Sequence, residues 1–379
     1  MKIVYISDNK LYLCSDGKIK ELNSEKASQY RENMIQINHR NEWKHSGTGA
    51  KFTGAYRPTP SDDAVRVRIN GIAKNDTGII YTADLGGMGG IYGKNVTSDK
   101  APEDRIFASM DMSIGEIDIK DGRIAAIADG HLAVLEKDGS FREIIDGDTY
   151  ESDPFWSATD GRIFCSSAGY ARDSVGMVAA EAPRSILSID LDAGEMDELY
   201  SDEKSDLLKP KNDSSGSFYY IRQPYKQPGP EKEPLWKDIL LFPFRLLKAI
   251  LGFLNAFSVL FGGSSLRGGN PQNGDIKSKQ CSERDIYFEG RLIEAEKNEK
   301  ENAAAGDKNP GIISRSRVLV KVDADGKETV IKKGVLDYAL LDDGSIICSN
   351  GSQLIHISEG NENVIAKAKL AHSICEVKE

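Results

Sequence analysis

Asp-Gly pairs recur between short apolar runs along this chain, and no other feature restricts its fold so much. They stand at Asp16-Gly17, Asp121-Gly122, Asp129-Gly130, Asp138-Gly139, Asp160-Gly161, Asp325-Gly326 and Asp343-Gly344. A two-residue hairpin turn needs positive φ at its centre, which Gly adopts freely and Asp tolerates. The flanking runs KIVYI and KLYLC, RIAAIA and HLAVLE, RIFCSS and SILSIDL, VLVKVD, SIICS and QLIHIS are short and rich in β-branched residues. Strands at this spacing predict an antiparallel sandwich, barrel or propeller. Their loose repeat of about 40 residues is the length of a four-stranded propeller blade.

Residues 110–147 make one such unit and residues 150–200 the next. A third begins at SDLLKPKNDSSGSFYYIRQP, is interrupted, and resumes at SRVLVKVDADGKETVI; LDYALLDDGSIICSNGSQLIHISEGNENVI follows it. The first unit, Lys2 to Leu22, holds three strands, and the last run, Lys369 to Val377, is a single strand. Joining the two ends completes a blade and removes both exposed sheet edges. With an irregular second unit at about 27–99, the chain is expected to be an all-β protein. The expected architecture is a six-bladed β-propeller of four antiparallel strands per blade, closed by its N- and C-terminal strands, with five or seven blades as the alternatives. One blade then carries a helical, amphipathic insertion. The single propeller domain spans 1–224 and 313–379, and the insertion spans 225–312. Ser24 is a candidate cap for a short helix over 24–34, and 45–60 reads as a loop.

One unit carries a family signature. Asp153-Pro154-Phe155-Trp156-Ser157, then Asp160-Gly161-Arg162-Ile163-Phe164, then Ile189-Asp190-Leu191-Asp192-Ala193-Gly194-Glu195 resembles the TolB-type, WD40-like (PD40) propeller repeat. The match is good over 150–200 and faint in the other units, where the Trp is missing. The resemblance implies a propeller and gives Asp153, Pro154, Trp156, Asp160 and Gly161 structural roles in the repeat. It implies little about activity, because such propellers serve as docking platforms, ligand binders and enzyme appendages. Some precede a serine-peptidase domain, but no G-x-S-x-G occurs here.

Charge and cysteine usage narrow the function classes. The net charge of -10 provides no broad basic field for phosphates, so no nucleic-acid partner is expected. Cys14, Cys165, Cys281, Cys348 and Cys375 are scattered singly, which suits reduced thiols and gives neither a disulfide framework nor a CxxC metal site. The N-terminus alternates like a strand and lacks a signal core, so the expected location is cytoplasmic, with a peripheral place at the inner face of the cell membrane as the finer expectation.

The candidate chemical motifs read as structure. Gly47-Thr48-Gly49-Ala50-Lys51-Phe52-Thr53 lacks the Gly-Lys-Ser/Thr ending of a phosphate loop. No helical run follows Gly86-Gly87-Met88-Gly89-Gly90, so it reads as a strand end or bulge. His39, His45, His131, His356 and His372 show no metal spacing. The acidic turns Asp190–Asp192, Asp323–Asp325 and Asp342–Asp343 offer too few oxygens for calcium. No catalytic residue, cofactor or metal is expected.

The insertion departs from everything around it. A Pro/Gly-rich entry, QPGPEKEP, leads to the one long apolar stretch, PLWKDILLFPFRLLKAILGFLNAFSVLFGG. A flexible polar exit, GGSSLRGGNPQNGD, follows, and then a charged segment, RLIEAEKNEKENAAAGDKNPG, of helical or disordered character. On a helix over about 234–261, Lys237, Asp238, Arg245, Lys248, Gly252 and Asn255 fall in one sector about 100° wide. The rest of the circumference is apolar, and Pro243 kinks it near its start. Candidate contact residues are Leu235, Trp236, Leu240, Phe244, Arg245, Leu247, Lys248, Leu251, Leu254, Phe257 and Phe261. Burying that face is worth on the order of 10 kcal/mol.

A single crossing of a bilayer would split one blade across the membrane and place Arg245 and Lys248 at mid-span. Spanning is therefore rejected, while a re-entrant dip stays open. Three other partners remain: an anionic lipid surface, another protein, or the propeller itself. Seven Lys/Arg against three Asp/Glu between Arg222 and Arg267 contrast with the acidic remainder and favour a negative surface. The function expected is a non-enzymatic, monomeric docking or scaffold module held at a membrane or membrane-bound complex. The alternative is a ligand-binding or hydrolytic propeller with its site at the central channel mouth. Convergent carboxylates there, or a pocket lined by Trp43, Trp156 and Tyr side chains, would favour it.

Overall fold

In the computed structural model the expected hairpins assemble into six four-stranded antiparallel sheets arranged as the blades of a propeller. The structure describes residues 1–46, 50, 65, 67–76, 78–96, 101–172, 176–226, 286–288 and 291–377. Blade 1 runs outward from the channel as His372–Val377, Lys2–Ser7, Lys10–Ser15 and Lys18–Leu22. The C-terminal strand thus completes the N-terminal sheet, with Val4 opposite Cys375 and Lys2 opposite Val377. Blade 2 is Val67–Asn75, Gly78–Leu85, Gly89–Lys94 and Asp104–Ser109. Blade 3 is Ile114–Lys120, Arg123–Ala128, His131–Leu135 and Phe141–Glu143. Blade 4 is Thr149–Trp156, Ile163–Arg172, Ser185–Asp190 and Glu195–Tyr200, with Val178–Glu181 paired to the extended end of its second strand. Blade 5 is Ser205–Asn212, Phe218–Pro224, Val318–Val322 and Glu328–Lys333. Blade 6 is Asp337–Leu340, Ile346–Ser349, Gln353–Ser358 and Asn361–Lys367.

The sequence pattern explains why the ring closes. Successive side chains of a strand point to opposite faces, and a blade has a neighbour on each face. Ile3 and Tyr5 therefore pack against Ala339, Ile347 and Leu354 of blade 6, while Val4 and Ile6 pack against Ile69, Ile79 and Tyr81 of blade 2. The same arrangement repeats between blades 2 and 3, 3 and 4, 4 and 5, and 5 and 6. Both faces being buried, the second and third strands of the blades are the most apolar, as in RIAAIA and HLAVL of blade 3, and the outermost strands are largely polar.

Turn chemistry follows the sequence closely. Asp16-Gly17, Asp121-Gly122 and Asp129-Gly130 hold both residues at positive φ, as two-residue hairpins of this hand require. Asp138 and Asp343 instead use their carboxylates: each accepts the backbone N–H and the hydroxyl of the Ser two residues on. In the Gly86–Gly90 stretch, Gly86 to Met88 form the turn joining the second and third strands of blade 2, with Gly86 and Gly87 at positive φ, and Gly89 and Gly90 open the third strand.

The second unit needs correction. Its strands begin at Val67 rather than near 27 and end at Ser109, because a helix, Glu25–Asn41, precedes them. This helix is longer than the 24–34 expected. Ser24 caps it by accepting the Ala27 N–H at 3.2 Å. Glu103 accepts the Lys26 N–H and pairs with buried Lys94 at 3.1 Å, so a buried ion pair of blade 2 holds the start of the helix. Tyr81 Oη, which donates to Glu103 and contacts Ser24 Oγ, completes the join.

Blade 5 is interrupted between Phe218–Pro224 and Val318–Val322, which pair directly, with Arg222 opposite Val318. The chain therefore leaves and re-enters the blade at the same end of two adjoining strands. After the apolar stretch, a short hairpin, Ile286–Phe288 with Arg291–Ile293, is followed by a helix, Ala295–Ala304, over the charged segment. Residues 234–261, including all eleven candidate contact side chains, lie outside the described residues, as do Cys281 and most of 47–64. Among the described residues no helix is long and apolar enough to cross a membrane.

Candidate functional site

The channel at the ring's centre is where the described residues concentrate charge. Its wall is the innermost strand of each blade, and in five of the six that strand breaks register with its neighbour. The extra residues fall at Asn70, at Gly115-Glu116, at Asp153-Pro154, at Lys209-Pro210 and at Ser373-Ile374. A bulge turns side chains toward the axis and strengthens the twist. Asp153, Lys209 and Ser373 all adopt positive φ there, at 55°, 55° and 47°, a conformation costly for residues other than Gly.

Two of these bulges are chemically paired. Asp153-Pro154 and Lys209-Pro210 occupy equivalent positions in adjacent inner strands, and Lys209 Nζ lies 3.1 Å from Asp153 Oδ1. The same ammonium lies 3.4 Å from Asp337 Oδ2 of blade 6, which accepts the Ser373 N–H of blade 1 at 2.6 Å. One lysine thus links the inner strands of blades 4, 5 and 6, and Asp337 carries the link to the closing strand. Burial alone would raise the Asp153 carboxyl. The Lys209 charge and hydrogen bond, joined by the Arg184 charge, outweigh that and hold it below the usual carboxylate range.

Two further charged groups lie along the same wall. Lys211 Nζ donates to the Tyr338 carbonyl at 2.8 Å and stands over the Tyr338 ring. Burial pushes its ammonium pKa down, Asp337 opposes that, and neighbouring Lys209 adds to it. Asp118 of blade 3 accepts the Trp156 N–H at 2.7 Å. Burial drives its carboxyl up to about 6, against the pull of that hydrogen bond and of Lys211 and Lys120. Three carboxylates and two ammonium groups therefore lie along the channel wall, Asp153 and Lys209 on bulges and Asp118, Lys211 and Asp337 at regularly paired positions of the inner strands.

Around the rim, Glu151 is fully buried, accepting from Ser167 Oγ at 2.9 Å and facing His131 Nδ1 at 3.2 Å. The carboxylate stands between Ser and His, whereas nucleophilic catalysis needs the imidazole between them. Arg184 donates to Ser152 Oγ and, through its backbone, to Asp206. Gln223 continues from Asp206 to Arg317, which donates to the Val335 and Leu336 carbonyls. On the flank between blades 4 and 5 a cavity of about 220 Å³ is lined by Tyr200, Leu207, Tyr220, Arg222 and Glu328. It lies away from the channel, and Glu328 is already paired with Arg222 and Tyr220 Oη.

The five repeat residues lie in the first strand and first turn of blade 4. Asp153 and Pro154 form the bulge. Trp156 is buried in the core between blades 3 and 4, with the Arg123 guanidinium over its ring at 5.1 Å. Asp160 turns its carboxylate onto the Arg162 N–H, and Gly161 sits in that same turn, at an ordinary φ and with open space where a Cβ would be. Trp43 is 72% exposed beyond the first helix, so it shares no pocket with Trp156. No cluster of metal-ligating side chains occurs among the described residues. His356 contacts Ser345 Oγ, and Asp190 accepts two N–H groups of its own turn. Cys14, Cys165, Cys348 and Cys375 are all free thiols.

Sequence reasoning missed Lys209, Lys211, Asp118 and Asp337. A signal for the first existed: T-Y-E-S-D-P and S-D-L-L-K-P place opposite charges before Pro at the same strand position.

No protein-family model matches the chain, and no curated protein does. Solved structures to which it is similar include TolB from Acinetobacter baumannii, at 10% identity and a TM-score of 0.45 over 98% of this chain. A protein from Lactobacillus plantarum gives 9% and 0.42, covering 99% of both chains. A puromycin-hydrolyzing peptidase of Mycobacterium tuberculosis gives 10% and 0.40 over 80% of this chain and 47% of that one. The chain spans 65% of the TolB chain's length. The propeller assignment rests on the six sheets and their closure.

Proposed function

We propose that this propeller is a non-enzymatic docking module recruited to an anionic membrane surface by the apolar stretch at 234–261. The observation that carries the reading is the pairing of Arg222 with Val318 across the interruption. The two strands on either side of the insertion still pair directly, so blade 5 is completed without the apolar stretch, whose composition suits a surface. Its basic sector supports attraction to anionic head groups, and its apolar sector supports burial among acyl chains.

The test is flotation of the intact chain with phosphatidylglycerol vesicles and with phosphatidylcholine vesicles. It is repeated on a 227–284 deletion and on the double variant Leu247→Glu/Leu251→Glu. Binding to the anionic vesicles that both changes abolish supports the reading. An intact chain that stays with the unbound fraction, or a deletion that still floats, sinks it. Recovery of a membrane protein by the intact chain without lipid binding would transfer the role to a partner.

A second reading, a ligand-binding or hydrolytic channel, is favoured by one observation: Asp118, Asp153 and Asp337 converge with Lys209 and Lys211 on the channel. Lys211→Met would abolish any such binding or turnover and leave vesicle flotation untouched.

A further inference from the structure

The hairpin and helix that follow the apolar stretch do not return to blade 5 directly. Ile286, Phe288 and Ile293 of the hairpin, with Ala295 of the helix, pack on Ile312, Ile313, Leu336 and Leu370. Leu336 immediately precedes the inner strand of blade 6, and Leu370 precedes the strand that closes the ring. The Phe288 ring stands edge-on to His372, the first residue of that closing strand, with centroids 5.0 Å apart.

Polar contacts fix the same arrangement. Asn302, buried in the helix, donates to the Gly311 and Ile313 carbonyls, and Asn298 donates to Ile312. The segment they hold is bound to the second turn of blade 6: the Ile312 N–H donates to the Asn350 carbonyl, and Asn350 Nδ2 to Asn309. The approach is close. A Cβ on Gly311 would lie 2.3 Å from the Asn350 carbonyl oxygen, and one on Gly351 would lie 2.6 Å from Ile312. The Leu370 N–H in turn donates to Gly351.

The closing strand needs such support. It pairs with Lys2–Ser7 along one edge, in a ladder broken by a register shift, and its other edge faces the channel. We propose that residues 286–313 are a strap that locks the ring's seam, so that the stability of the C-terminal strand depends on the insertion in blade 5. The strap begins where the apolar stretch and its exit end, so whatever engages or displaces 286–293 alters the seam first. The inference stands whether or not lipid is the partner.

The experiment is hydrogen exchange read by mass spectrometry on the full chain, comparing wild type with Phe288→Ala/Ile293→Ala. The variant should exchange about tenfold faster at 372–377 and 2–7 and unchanged at 114–135 and 149–156. Tyr287→Ala, on the hairpin's exposed side, should leave the pattern as in wild type. In wild type itself, 295–304 and 372–377 should lose protection together at one low urea concentration, a readout that needs no variant. Separate opening of the two segments, or a rise of the same size in every blade, would overturn the strap.

Discussion

Replacing Lys209 with Met tests whether the channel's charge network holds the blades together. Met keeps most of the side-chain volume and leaves the positive φ at 209 as it is, so the change isolates the ammonium. In the wild type that ammonium has carboxylates at 3.1 and 3.4 Å, and the three side chains are only 10%, 11% and 4% exposed. Removing one partner of a buried pair costs about 3–5 kcal/mol, because the remaining charge is left uncompensated. Residual contact with the channel places the expectation at the lower end, about 3 kcal/mol.

Urea unfolding at several pH values reads this out. In the wild type the Asp153 carboxyl is held below its ordinary value, so its contribution is fully present above about pH 4 and is lost as pH falls through the lowered folded value. In Lys209→Met that depression is gone, and protonation relieves the stranded carboxylates. The gap between wild type and variant should therefore be widest at pH 7 and narrow toward pH 4. Adding Asp153→Asn and Asp337→Asn should recover most of the loss at pH 7, since an amide oxygen still accepts the backbone N–H of residue 209 and that of Ser373. A loss under about 1 kcal/mol at pH 7, or a gap that does not narrow, would show that the network is incidental.

Two further outcomes follow from the same structure. Asp118 has a folded pKa of about 6, above the ordinary carboxylate value of about 4, so the wild type is favoured below that ordinary value and loses stability as pH rises through about 6. Asp118→Asn should therefore gain on the order of 1–2 kcal/mol over wild type at pH 8 and nothing at pH 4, measured as urea midpoints; a difference independent of pH would refute the assignment. Gly89→Ala puts a Cβ 2.3 Å from the Met112 carbonyl oxygen, backbone against backbone between blades 2 and 3. It should cost about 1–3 kcal/mol in thermal unfolding, and an unchanged midpoint would mean that the two blades separate easily there.

Strand, turn and closure were legible in the sequence because they are decided locally. Asp121 and Gly122 specify a hairpin through their own φ preferences, and the apolar runs beside them specify a strand buried on two faces. The unpaired three-stranded start and the lone C-terminal strand then leave one economical way to remove two edges. The second blade was misplaced for the converse reason. Helix Glu25–Asn41 is mostly polar, and what fixes its start is Glu103, a residue of the blade that follows it.

By itself the sequence determined that this chain makes hairpins of apolar strands, that one unit resembles a propeller repeat, and that a long apolar stretch interrupts a later one. Each follows from side-chain period, turn preference or composition within a few tens of residues. Only the tertiary structure decided that Asp153, Lys209 and Asp337 share one network, and that the chain beyond the apolar stretch reaches across blade 6 to the ring's seam. Those contacts join residues far apart in sequence, and whether two charges meet depends on where bulges turn them once the ring has closed.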